Sequence, residues 1–329
     1  MNAKNIKIWI IFIFAFCFAV FLLQICVKAD TQQAAVQHSF HITYKSKLDN
    51  TYQPMLVKLP ARYDPQKKYP LLVVVHGLGG SPLVVQSIDS MIQIGPVTRN
   101  TKITLAEVTE CLDLAKSIFP IDSDRVFLTG FSMGAIATFE IGLSRPDIWA
   151  GCIPVCGRIE NFELIPNGQN LPFWIHTGSL DSVVDPNNAR EAYKKAVVLG
   201  FEHWRYTEHK NLGHSFSINW PDVEKWMLAQ KRNTALKKIH FYTQRQDNLK
   251  SYWLEVLEKK TPASPACLNA QIENNTISVQ TKNIADYILE LNENLLDTSA
   301  SIQIIENGIT IFTGNLKTNQ FWRYSNNKQ

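Results

Sequence analysis

Charge of one sign is what this sequence has least of in excess. Lys and Arg number 33 against 29 Asp and Glu, a formal net charge of +4 at pH 7. No basic stripe is interleaved with aromatics, so a nucleic-acid surface or other polyanionic partner is not expected. Cysteine is scarce, with six in 329 residues, and none pairs with His or Cys at the spacing of a zinc site. No internal repeat or low-complexity tract is present, which excludes solenoids and arrays. Hydrophobic residues make up 45% and charged residues 19%, enough apolar material to fill a core and too much for wholesale disorder. The length suits one full catalytic domain plus something smaller.

The one long apolar run lies at the N-terminus. Lys4 and Lys7 precede an apolar stretch over 8–23 that continues past Gln24 to Val27, and Val27-Lys28-Ala29 has the small-residue spacing of a signal-peptidase site. Residues 1–29 therefore read as an export signal, giving a secreted or periplasmic protein. About 20 apolar residues also suffice to span a bilayer, so 8–27 would serve equally as an N-terminal membrane anchor. Cys26 invites lipidation, but Ile25 before it is bulkier than a lipidation site ordinarily accepts. Cys111, Cys152, Cys156 and Cys267 leave disulfide pairing open. Cys152 and Cys156, which bracket Ile153-Pro154-Val155, read as small buried thiols.

Beyond residue 37 the texture is strand-like over 38–44 and 55–59, read as an antiparallel pair. The run 69–75 is continuously apolar between Pro and Gly signals, as in a strand buried on both faces of a parallel sheet. Strands at 91–94, 125–129, 151–155, 173–177 and 202–206 then alternate with helices at 105–119, 133–143, 186–198 and 220–230. That alternation predicts a doubly wound, mostly parallel α/β sheet over 38–232. From about Asn233 only strands follow, at 238–243, 251–257, 266–272, 276–281, 287–291, 301–305 and 309–314, predicting a small all-β C-terminal domain over 235–320. Asn274-Asn275 and Asn307-Gly308 are hairpin turns. This β unit reads as a small sandwich covering an edge of the catalytic domain. Its Trp253 and Trp322 either stack on sugars or fill its core.

Gly130-Phe131-Ser132-Met133-Gly134 falls between a strand and an apolar helix, the strand-turn-helix context in which G-x-S-x-G presents a nucleophile. Alone the pentapeptide is weak evidence. Three further features follow the fixed chain order of serine, acid, histidine. A strand over 173–178 runs into Ser179-Leu180-Asp181, placing a carboxylate beyond a strand's C-terminal end. Asp185 is the competing acid, but with Pro186 after it, it reads as a helix cap. His214, in Gly213-His214-Ser215, lies on a loop from which its ring can reach the sheet edge, whereas His203 and His209 suit a surface role. His76-Gly77-Leu78-Gly79-Gly80 follows the central strand, where a glycine turn can aim N–H groups at a developing negative charge. The N–H groups of Leu78 and Met133 are the expected pair of donors, with His76 bonding its own loop.

These stretches, 76–80, 122–134, 178–181 and 213–214, resemble the α/β-hydrolases of the carboxylesterase, polyhydroxyalkanoate-depolymerase and feruloyl-esterase group, which overlaps the prolyl-oligopeptidase-like esterases. The resemblance covers 52–232. It implies a serine nucleophile attacking an ester, small or polymer-borne, through an acyl-enzyme, with Ser132, His214 and Asp181 as the triad and no metal or organic cofactor. Two departures stand out: Ala135 replaces the glycine that usually follows the elbow, and the stretch between Gly80 and Met91 is too short for the usual first helix. A prolyl-oligopeptidase-like peptidase would use the same triad, but 30–76 is too short for its accessory propeller of repeated blades. A binding protein on a dead hydrolase scaffold, with the β unit as its working part, is the reading from another class.

Overall fold

The computed structural model describes residues 39–97, 103–247, 249–315 and 321–325. The predicted export segment lies outside the described residues. Among the described residues no helix is long and apolar enough to cross a membrane.

The sheet is built around the run Tyr-Pro-Leu-Leu-Val-Val-Val. The elements in order are β1 (Ser39–Lys45), β2 (Tyr52–Lys58), β3 (Tyr69–Val75), β4 (Ile92–Pro96), α1 (Leu105–Ile118), β5 (Ile121–Phe131) and α2 (Met133–Ser144). They continue with β6 (Gly151–Val155), a 3₁₀ helix (Phe162–Asn170), β7 (Phe173–Gly178), α3 (Pro186–Val198), β8 (Trp204–His209) and α4 (Trp220–Ala229). The eight strands are ordered β1-β2-β4-β3-β5-β6-β7-β8. The pairs β1·β2 and β2·β4 are antiparallel, and every pair from β4 through β3 to β8 is parallel.

Period-2 geometry sorts β3 between two cores. Leu71, Val73 and Val75 point to the face covered by α1, α2 and α3, beside Val108, Leu112, Phe139 and Ala192. Leu72 and Val74 point to the other face, beside Val85, Ile88, Val223 and Trp226. Each such side chain fully removed from water contributes about 1.5–3 kcal/mol. Helix starts follow their caps. Thr104 and Glu107 form a reciprocal capping box at α1, and Asp185 caps α3 with Pro186 at its first position.

No helix links β3 to β4. Residues 76–91 cross the α4 face as irregular chain, whose backbone groups need partners from elsewhere. Buried Gln93 accepts from the Val85 N–H at 2.7 Å and donates to the carbonyls of Val85 and Ile88 at 2.9 Å each. The buried Lys58 ammonium donates to Gln86 and Ile88 carbonyls at 2.9 and 2.5 Å. Two buried polar side chains thus do what intrahelical bonds would have done.

Beyond Asn233 the chain forms a five-stranded and a four-stranded sheet with an apolar core between them. The strands are β9 (Lys238–Thr243), β10 (Lys250–Ser251), β11 (Leu254–Lys259), β12 (Ala266–Glu273), β13 (Thr276–Lys282), β14 (Ile284–Glu290), β15 (Ile302–Glu306), β16 (Ile309–Gly314) and β17 (Phe321–Ser325). Asn307 and Gly308 take φ of 48° and 84°, the two positive values a type I′ turn requires. Two expectations change, and one open alternative is decided. The strand expected over 251–257 is split by a turn at Tyr252, whose φ is 54°. A further strand, β17, pairs with β14 beyond the expected limit at 320. Trp253 is buried, donating its indole N–H to the Leu236 carbonyl at 2.7 Å, so it fills the core and has no face for a sugar.

The described residues fall within one compact unit. The β region is fastened to the 3₁₀ helix by buried Asn167, which exchanges bonds with the Tyr242 backbone at 2.8 and 2.7 Å and also donates to the Leu143 carbonyl. Cys111, Cys152 and Cys156 are buried and Cys267 is half-buried, and none of the four is in a disulfide.

Candidate active site

Strand β5 ends at Phe131, and Ser132 carries the chain into α2 with φ 56° and ψ −117°. That conformation is strained for any residue with a Cβ, and the glycines on either side permit it. A Cβ on Gly130 would lie 2.3 Å from the Gly134 carbonyl oxygen, and one on Gly134 would lie 2.3 Å from that of Val75. Ala135, the departure noted in the sequence, is matched by a second glycine: a Cβ on Gly157 would lie 2.4 Å from the Ala135 Cβ. Gly157→Ala is therefore expected to cost about 1–3 kcal/mol by overpacking. Adding Ala135→Gly should recover part of that loss, and a double-mutant cycle of denaturation midpoints measures the coupling.

The structure brings Ser132, His214 and Asp181 together. The Ser132 Oγ lies 2.9 Å from His214 Nε2, and His214 Nδ1 lies 2.8 Å from Asp181 Oδ2. An ionised carboxylate only accepts, so Nδ1–H donates to Asp181 and Nε2 is left to accept from the serine hydroxyl. The other Asp181 oxygen accepts the N–H groups of Val183 and Val184, each at 2.9 Å. Burial alone would raise this carboxyl's pKa. The bonds from Val184, His214 and Val183 outweigh that and hold it below the usual carboxylate value. The acid and histidine loops meet closely because Gly178 has no side chain. A Cβ there would lie 2.2 Å from the Gly213 carbonyl oxygen, and Leu180 N–H bonds the Leu212 carbonyl at 2.8 Å. Asp185 faces elsewhere, its carboxylate accepting the Asn187 N–H at 3.0 Å as a helix cap.

The glycine turn lies beside the elbow. Gly80 N–H bonds the Gly77 carbonyl at 3.1 Å with Gly79 at φ 64°, the positive φ that a type II turn needs at its third residue. Leu78 occupies the second place of this turn. A Cβ on Gly77 would lie 3.7 Å from that of Ser132. Met133 opens α2, where an N–H has no intrahelical acceptor. Buried His76 is bonded through Nδ1 to the Gly77 carbonyl at 2.7 Å.

Cys156 is the residue that sequence reasoning missed. Its ligating atom and those of Asp181 and His214 lie within 4.8 Å of one another, the one such trio among the described residues. Burial, with the Asp181 charge second, pushes the thiol up to about 12. It is therefore a neutral S–H beside the carboxylate at physiological pH, a poor metal ligand and a poor nucleophile. The only sequence signal was an apolar bracket, which indicates burial without indicating a neighbour.

His203 and His209 are half-buried and partnered rather than solvent-facing. His203 is half-buried with Nε2 on the Gly168 carbonyl at 3.1 Å. His209 Nε2 meets His176 Nδ1 at 3.1 Å and its ring packs on Phe216 at 4.4 Å. Burial, then the neighbouring His209, depresses the His176 pKa to about 3. Its ordinary value is 6.5, so on acidification the unfolded chain takes this proton before the folded one. Stability is expected to fall as pH drops from about 6.5 toward 3. In thermal melts, His176→Phe should flatten the decline of Tm between pH 6 and 4; an unchanged slope would sink the assignment.

No protein-family model matches the sequence. Among solved structures, a thermostable esterase superposes with a TM-score of 0.51 at 21% identity, over 60% of this chain and 64% of that one. The chain thus spans under two thirds of that esterase. A ferulic acid esterase from Anaeromyces mucronatus (TM-score 0.47, 22% identity, 62% and 95% covered) and an acetyl xylan esterase from Aspergillus awamori (0.46, 14%, 57% and 98%) are also similar. The fold is the α/β-hydrolase fold. Within it, the serine, acid and histidine of this chain stand beyond the C-terminal ends of β5, β7 and β8, the sheet edge at which α/β proteins place their sites. The α/β-hydrolase core ends with α4, and the two β sheets that follow it are additional.

Proposed function

We propose that this chain is an exported serine hydrolase that cleaves carboxylic esters through an acyl-enzyme intermediate. The observation that carries the reading is the continuous hydrogen-bonded line from Ser132 through His214 to Asp181, at 2.9 and 2.8 Å, on a strained elbow. A serine hydroxyl is a weak nucleophile unaided, and this line gives it a base and gives the base an orienting charge. His214 Nε2 takes the Ser132 proton as Oγ attacks the ester carbonyl. The Leu78 and Met133 N–H groups stabilise the resulting oxyanion. Collapse of the tetrahedral species breaks the C–O bond, and the departing alkoxide takes the proton from the imidazolium. Water, deprotonated by His214, then releases the acid and restores the serine. Asp181 stays ionised and holds Nδ1–H throughout. The substrate is a small or polymer-borne ester. Residues 1–29 act as the export signal, or 8–27 remain as a membrane anchor.

A fluorophosphonate probe tests the reading directly. It should add to the folded full chain at Ser132, located by peptide mass spectrometry, and should not add to Ser132→Ala. Folded protein that resists labelling would favour a binding protein on a hydrolase scaffold.

A further inference from the structure

The irregular link between β3 and β4 forms one wall of a pocket through Leu83 and Val85. On the α4 face of the sheet, a pocket of about 280 Å³ is walled chiefly by Val74, Leu83, Val85, Phe131, Phe216 and Ile218. None of the three triad residues lines it, but neighbours of Ser132 and His214 do. Phe131 immediately precedes Ser132 and its ring lies 5.1 Å from that of His214. Val155, also in the wall, accepts the Ser132 N–H on its carbonyl at 2.9 Å, and Phe216 lies two residues after His214 on the same loop.

We propose that this pocket receives an uncharged hydrocarbon substituent of the ester, and so sets the substrate class. The inference rests on the serine-hydrolase reading above. None of the lining residues is charged, the Thr129 hydroxyl is already spent on the Ile153 carbonyl at 2.7 Å, and the remaining polar side-chain groups, the Ser217 hydroxyl and the Trp220 indole N–H, are neutral and belong to residues that are not buried. A carboxylate or ammonium placed there would be desolvated without a partner, whereas a hydrocarbon gains by leaving water. The pocket is held open from behind. Gln93 and Lys58 fix the carbonyls of the Val85–Ile88 stretch. A Cβ on Gly95 would lie 2.7 Å from the Leu83 carbonyl oxygen, so the link already rests against the β4 backbone and cannot sink further. At about 30 Å³ per water-sized group, the volume holds on the order of nine such groups. That suits a medium chain or a single aromatic ring and is too small to enclose a long fatty acyl chain.

Two ester series on the purified full chain test this: p-nitrophenyl esters with acyl chains from acetyl to palmitoyl, and alkyl acetates with the alcohol lengthened instead. Values of kcat/KM should rise about fourfold per methylene in one series and fall again beyond about eight carbons. Which series rises tells whether acyl or alcohol group enters. Leu83→Trp, which places bulk at an exposed part of the wall, should lower the eight-carbon to two-carbon ratio at least tenfold. If the wild-type protein labels with fluorophosphonate at Ser132 yet both series are flat, the pocket assignment falls and the hydrolase reading stands. If Ser132 in folded protein does not label, the hydrolase reading falls and takes this one with it.

Discussion

Replacing Ser132 by Ala should reduce ester turnover by a factor on the order of 10⁴–10⁶ while leaving the folded protein intact. The strain at position 132 belongs to the backbone turn, with φ 56° enforced by close contacts on both sides, and Ala experiences the same strain as Ser. The hydroxyl makes one described side-chain bond, to His214, so its removal should move the thermal midpoint little. Loss of activity with an unchanged melt is the outcome that assigns chemistry to this oxygen. Comparable activity in Ser132→Ala would remove the proposed nucleophile. A large drop in Tm alongside lost activity would mean that the substitution acted through folding.

The second large effect concerns the acid. Asp181→Asn should lower kcat by about 10⁴, and the reason is a reversed hydrogen bond. The Asn carbonyl can still accept the Val183 and Val184 N–H groups, which Asp181 now holds at 2.9 Å. Its amide nitrogen then faces His214 Nδ1 as a donor, so Nδ1 must accept and the ring proton moves to Nε2. An Nε2–H pointing at the Ser132 hydroxyl cannot take its proton. Asp185→Asn is the control. Asn is as good an N-cap as Asp, so both kcat and stability should hold, while Asp185→Ala should cost about 1 kcal/mol of stability with kcat unchanged. Should Asp185→Asn impair turnover more than Asp181→Asn, the acid would have been misassigned.

Much of this could be read from local pattern. The continuous apolar run of β3, the alternation of strands and helices, and the Asn-Gly turn at 307–308 each have one favoured local conformation. The helices starting at Leu105, Met133 and Pro186 begin where the sequence pattern places them. Where the reading failed, tertiary contacts competed with pattern. An alternating stretch through Tyr252 looks like one strand, yet its Trp253 belongs in the core on the far side of a turn. His203 and His209 look like solvent-facing histidines, but neighbours distant in sequence, the Gly168 carbonyl and His176, partner them.

By itself the sequence determined which residue types occur in which order: a serine between glycines after a strand, an acid after the next-but-one strand, then a histidine. Such signals are local because steric limits on φ and the period of a strand act over a few residues. Tertiary structure alone decided that Gly178 lets the acid and histidine loops touch, that Gly157 makes room for Ala135, that a buried thiol at Cys156 lies against the triad, and that an apolar pocket opens beside it. Each of these is a close approach between segments far apart in the chain, and the free volume at such a meeting point depends on all the atoms around it.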